Sequence, residues 1–205
     1  MTMKLLASLT SPYARKIRIA LAEKNIPFEL VVDSPWEAAT RVPDVNPLGK
    51  VPALVLDDGE VFFDSPVIAG YIETLGHAPA LLPAGGIERV RVRQSEALVD
   101  GILDAAVTAY LEGRRPEAQQ SAPNLDRQYD KIQRSLDLLE ERLAGRNWLD
   151  GDSMQLGDIA LGVALGYLDL RLGYLEWRAG RPVLEAFAQR MFARPSFAAT
   201  VPPAG

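Results

Sequence analysis

The sequence predicts two domains of different class: an α/β domain of order β-α-β, β-β-α over residues 1–76, then an all-α helical bundle over residues 87–205, joined by a linker over 77–86. Three observations carry this. β-rich runs and helical periodicity alternate through the first 76 residues, and a hairpin signal, Asp57-Asp58-Gly59, sits between two such runs. From Ile87 onward every apolar pattern has helical spacing. The stretch from His77 to Gly86 is rich in Pro and Gly and marks the change.

In chain order, Lys4–Leu9 reads as a strand, and from Pro12 the apolar residues Ala14, Ile17 and Leu21 share one helical stripe. Arg15, Lys16 and Arg18 fall off that stripe and are expected on a solvated face. Asn25 and Pro27 stop the helix, and Phe28–Val32 is a second strand, parallel to the first because a helix connects them. The connection from Asp33 to Asn46 is expected to hold a short helix around Trp36–Thr40, with Trp36 covering the sheet. Ala53–Leu56 and Glu60–Phe63 form the hairpin. Ser65-Pro66 then opens a helix with Ile68, Tyr71, Ile72 and Leu75 in phase, ended by Gly76.

In the second half, one long helix is predicted from Ile87 to about Leu111, another over Leu125–Leu143, and a last one from Pro182 to about Arg194. Ile159–Leu168 is apolar on all sides, which predicts a helix enclosed by others.

Composition removes whole classes of chemistry. The 205 residues contain no cysteine, so disulfides, thiolate metal sites and a protein-borne thiol nucleophile are excluded. The one histidine, His77, lies in the linker, and no ligand spacing for zinc is present, so no metal is expected. A net charge of −5 argues against nucleic-acid binding. The basic groups Arg15-Lys16-Ile17-Arg18 and Arg89-Val90-Arg91-Val92-Arg93 read as helix faces. No apolar run is long enough to span a bilayer, and the N-terminus lacks a signal-peptide pattern, so no membrane association and a cytoplasmic location are expected.

The informative motifs lie in the first domain. Ser11-Pro12 and Ser65-Pro66 each stand where a strand gives way to a helix, a serine to cap and a proline that loses no useful donor. Between them lies the X-Pro turn Asn46-Pro47-Leu48-Gly49-Lys50-Val51-Pro52-Ala53-Leu54. Two helix N-termini flanking such a turn suit an anionic, peptide-like ligand.

With these motifs in order, and with Leu156-Gly157-Asp158-Ile159-Ala160 in the second half, the chain resembles the glutathione S-transferase family: a thioredoxin-like domain joined to a helical one. The resemblance implies glutathione as co-substrate, no cofactor, a hydrophobic electrophile as second substrate, and a homodimer. It implies Ser11 as the group that activates the glutathione thiol, with Thr10 and Tyr13 as rivals and Ser8 another hydroxyl on the turn. It makes Val51-Pro52 a cis bond that holds the cysteinyl backbone, with Lys50 near a ligand carboxylate. Ser65 would take the γ-glutamyl carboxylate and Asp64 its ammonium. Asp158 would cap the enclosed helix, where Gln155 replaces the usual Ser or Thr.

The electrophile would lie near the end of the long helix, around Tyr110, Leu111 and Arg114, none of which receives a role from sequence. The chemistry is energetically adequate: lowering a thiol pKa from about 8.5 by ~2 units takes about 2.7 kcal/mol. One hydroxyl hydrogen bond to the thiolate supplies roughly 1.5–3 kcal/mol and a helix N-terminus about 0.3–1 kcal/mol. A serine in place of cysteine at this turn argues against thiol exchange. The Ser-Ser-Cys run of the isomerase class is absent. The alternative is a glutathione-binding or protein-interaction module that keeps the fold without catalysis.

Overall fold

The structure is a computed structural model in which residues 3–203 are described. The chain divides into two compact units, one formed by residues up to Leu82 together with those from Arg194 onward, the other by Pro83–Ala193.

The first unit is a four-stranded mixed sheet with helices. Strand β1 (Met3–Ala7) leads to α1 (Pro12–Glu23), β2 (Phe28–Val32), the short α2 (Val42–Val45), β3 (Ala53–Val55), β4 (Val61–Phe62) and α3 (Ser65–Thr74). The spatial order is β2-β1-β3-β4, with β1 parallel to β2 and antiparallel to β3, and β3 antiparallel to β4. Register brings the functional segments together. Ala7 lies opposite Val32, Leu6 opposite Ala53, and Leu54 opposite Phe62. The turn after β1, the segment before β3 and the entry to α3 therefore all leave the sheet at the same end.

Leu5, Ala7, Ile17, Leu21, Leu54, Ile68 and Ile72 are buried and make up the core of this unit. Its α1 differs from the sequence expectation on one face: Arg15 and Lys16 are buried, at 5% and 0% exposure, instead of solvated. The reason for Arg15 is α8 (Pro195–Ala198), which packs against α1. The Arg15 guanidinium lies 5.6 Å from the Phe197 ring centroid and donates to the Phe197 carbonyl and the Thr200 hydroxyl. Burial, then the neighbouring Arg18, pushes its pKa down to about 10. At the far end of α1, Glu23 accepts two bonds from Arg194 and one from the Ser196 hydroxyl. The Arg194 hydrogen bond holds its carboxyl below the usual range. Buried Lys24 forms an ion pair with Glu73 at 2.9 Å and donates to the Pro79 carbonyl, so its charge is compensated.

The second unit is helical: α4 (Gly86–Gly113), α5 (Ala122–Leu143), α6 (Leu156–Arg171) and α7 (Pro182–Phe192). Helix α5 starts three residues before the apolar pattern does, because Ser121 caps it by accepting from the Asn124 N–H. Helix α6 is the enclosed one, with every residue from Leu156 to Leu165 buried. It packs mainly on α4, and Gly157 permits the approach: a Cβ there would stand 2.9 Å from the Cβ of Ser95. Gly157→Ala is therefore expected to destabilise the protein by about 1–3 kcal/mol through overpacking, read from urea unfolding. Wild-type stability in that variant would disprove the close contact.

Among the described residues no helix is long and apolar enough to cross a membrane. No group of three or more His, Asp or Glu side chains is placed to hold a metal ion, again among the described residues.

Candidate glutathione site

Ser11 is the N-cap of α1, extended at φ −71° and ψ 120°. Its Oγ accepts from the Ala14 N–H at 3.3 Å, and Pro12 occupies the first helical position. Capping uses an oxygen lone pair and leaves the hydroxyl proton to donate. The turn before it is tied by the Ser11 N–H donating to the Ser8 carbonyl. Thr10, a rival hydroxyl, is 3.2 Å from the Ser8 hydroxyl, so the two engage each other. Tyr13 is half-buried in the first turn of α1.

The second segment is organised by Asn46, which is buried at 1% exposure. Its Nδ2 donates to the Lys50 carbonyl at 2.8 Å, its Oδ1 accepts from the Leu48 N–H, and its carbonyl accepts from the Gly49 N–H. Gly49 has φ +61°, a left-handed conformation that favours glycine. The loop so closed presents Lys50, which is exposed, and Val51, which is half-buried. The Val51–Pro52 bond is cis, as the resemblance implies. Among the described residues neither backbone polar group of Val51 enters a turn, loop or cap hydrogen bond. Asn46 is a positioning residue to which sequence reasoning gave no role; its place in the motif was the available signal.

At the third segment the helix begins one residue earlier than expected. Asp64, not Ser65, is the N-cap of α3, and Ser65 and Pro66 are its first two residues. The Asp64 side chain makes no cap bond and is exposed. Ser65 is buried at 1% exposure. Its N–H belongs to the first turn, where the helix supplies no acceptor.

The connection after β2 forms turns over residues 36–39 instead of a helix, and Trp36 is 74% exposed, so it does not cover the sheet. Asp33 explains the path: its carboxylate accepts from the Thr40 hydroxyl at 2.7 Å and the Arg41 N–H at 2.9 Å. Between this loop and the turn after β1 lies a cavity of about 470 Å³, lined by Ser8, Thr10, Asp33, Ser34 and Thr40 among others. Ser11 does not line it.

In the helical unit, Asp158 is fully buried. Its Oδ2 accepts from the Gln155 N–H at 2.9 Å and its Oδ1 from the Leu149 N–H at 2.8 Å. Only this half of a capping box forms, since Gln155 Oε1 is buried and accepts no hydrogen bond.

A mixed sheet whose parallel strand pair, cis-proline turn and helix entry converge at one end, followed by a helical unit, defines a thioredoxin-like transferase architecture. The sequence matches the glutathione S-transferase N-terminal domain family over residues 10–75 and the C-terminal domain family over 122–190. It is 48% identical to the GST-like protein YibF of Escherichia coli (strain K12), over 98% of this chain and 99% of that protein. A glutathione S-transferase from Methylobacterium radiotolerans, in complex with glutathione sulfonate, has a similar structure: TM-score 0.94 at 46% identity, covering 100% of this chain and 97% of that one. A Pseudomonas fluorescens Pf-5 glutathione transferase family member with bound S-(propanoic acid)-glutathione gives a TM-score of 0.87 at 36% identity, covering 100% and 99%. The chain therefore belongs to the glutathione S-transferase family and is a glutathione transferase.

Proposed function

We propose that this protein binds glutathione at the sheet end where the turn after β1, the Val51–Pro52 turn and the start of α3 converge, and that it directs the thiolate onto a hydrophobic electrophile. The observation that carries the reading is Ser11: its oxygen caps α1 while its proton remains to donate to sulfur. The cis Val51–Pro52 segment, with no backbone partner of its own in the surrounding turns, suits pairing with the cysteinyl backbone. Ser65 at the first position of α3 suits the γ-glutamyl carboxylate, and exposed Asp64 its ammonium. Exposed Lys50 suits a second carboxylate. No metal or cofactor takes part in this reading.

The relatives support it. Glutathione sulfonate and S-(propanoic acid)-glutathione are the ligands of two similar structures, and the second carries a carboxylate on its sulfur substituent. That admits acidic electrophiles here. We further place the protein in the cytoplasm as a homodimer. Exposed Ile87 and Val90 on α4 offer apolar surface for a second copy, and sedimentation velocity measures it.

The test is calorimetric titration with glutathione, followed by conjugation assays against aryl halides, epoxides and peroxides. Binding with turnover of at least one class is expected. No binding at millimolar glutathione would remove both the site and the activity. Binding without turnover would leave the non-catalytic module.

A further inference from the structure

The helical unit holds a cavity of its own, of about 500 Å³, with an excess of positive charge in its wall. Arg91 on α4, Arg142 on α5 and Arg146 just beyond α5 line it, against two carboxylates, Glu88 and Asp150. Both carboxylates are already engaged. Glu88 accepts from Arg91 Nη1 at 2.8 and 3.1 Å, and Asp150 accepts from Arg142 Nη2 at 3.3 Å and from the Ser95 hydroxyl. The Arg146 guanidinium has no hydrogen bond, ion pair or ring partner among the described residues.

Pairing also leaves most donors of the other two guanidiniums unused. Arg91 bonds through Nη1 alone and Arg142 through Nη2 alone, so each keeps its Nε–H and its second amino group without an acceptor among the described residues. Arg142 is the fixed member: its side chain is half-buried, and Nη2 also donates at 2.8 Å to the hydroxyl of Ser95, a fully buried residue. Arg91 and Glu88 are each more than half exposed, so water screens their attraction and the arginine can exchange partners. Arg146 is exposed and carries the unmatched charge. One held guanidinium with two movable ones suits a group that presents anionic oxygens in several directions. Phosphate does so with a tetrahedral set, whereas a carboxylate offers two oxygens in one plane. The volume is that of a small-molecule site.

We propose that Arg91, Arg142 and Arg146 form a binding site for a small phosphorylated molecule, built by the helical unit alone. Gln94, which also lines the cavity, supplies a neutral amide to the rest of such a ligand. The site uses none of the residues assigned to glutathione.

The experiment is calorimetric titration of the full chain at pH 7.5 with pyrophosphate, AMP, glucose 6-phosphate and citrate. It is run on the wild type, Arg142→Met, Arg146→Met and Arg127→Met, beside thermal melts by circular dichroism. Arg127 is an exposed arginine of α5 outside the cavity and serves as the control. Arg146→Met removes a side chain without a partner, so that variant is expected to fold even where Arg142→Met does not. Pyrophosphate should bind the wild type, and Arg146→Met should weaken it by about tenfold, the loss of one charged donor. Arg142→Met, where folded, should weaken it at least as much, and Arg127→Met should leave it unchanged. Tighter binding of AMP than of glucose 6-phosphate would support a nucleotide as the natural ligand, and the reverse order a sugar phosphate. No binding of any phosphate compound at millimolar concentration overturns the site. So does wild-type affinity in folded Arg146→Met, an equal loss in Arg127→Met, or tighter binding of citrate than of every phosphate compound.

Discussion

Replacing Ser11 with alanine is expected to slow glutathione conjugation at neutral pH by roughly 10- to 100-fold, the loss of one hydrogen bond to a charged sulfur at about 1.5–3 kcal/mol. The apparent pKa of the bound thiol should rise toward the free value of about 8.5. The deficit should therefore shrink as pH approaches 9, where the thiol ionises unaided. The KM for glutathione should change little, because the backbone and carboxylate contacts we propose lie in the other two segments. The variant also loses the cap on the Ala14 N–H, about 1 kcal/mol of helix stability, so rates belong beside an unfolding curve. An unchanged thiol pKa and rate would move the role to another hydroxyl. Thr10→Val is then the next variant, although its hydroxyl already engages Ser8.

The second large effect is on stability. Asp158→Ala should cost about 3 kcal/mol, because the Leu149 and Gln155 N–H groups would lose their acceptors, at roughly 1–3 kcal/mol for each that stays buried and unpaired. Burial pushes the Asp158 carboxyl up to about 6, against the opposing pull of those two N–H donors. Between about pH 4 and 6 the folded chain holds a proton that the unfolded chain has released. The contribution of Asp158 is thus fullest below the unfolded pKa and declines as pH rises through 6. The gap between wild type and variant should be larger at pH 4.5 than at pH 7.5, by about 2 kcal/mol. Urea unfolding of both proteins at the two pH values measures it. A gap that widens with pH would mean that the ionised form is the preferred one in the fold.

Sequence read best where structure is set locally. The Ser11 cap, the hairpin around Gly59 and the enclosed helix α6 depend on neighbours within a few residues, and all three stand as expected. The start of α3 was ambiguous because Asp64 and Ser65 are both good caps. Backbone geometry decides for Asp64, extended at φ −89° and ψ −161°. The stretch around Trp36 has helix-compatible residues. Asp33 instead captures Thr40 and Arg41, a side-chain choice that periodicity does not carry. Arg15 looked solvated because its cover comes from 182 and 185 residues away, at Phe197 and Thr200.

That distant cover has a consequence for how the protein is made. A ribosome delivers the sheet first and the segment that seals α1 last, with the roughly 110 residues of the helical unit synthesised in between. At about 5–20 residues per second, the interval lasts about 5–20 seconds. Through it the nascent chain holds Arg15 without the Phe197 carbonyl and Glu23 without Arg194. The first unit to emerge is the last to be finished, and any chaperone that attends this chain has that window in which to bind.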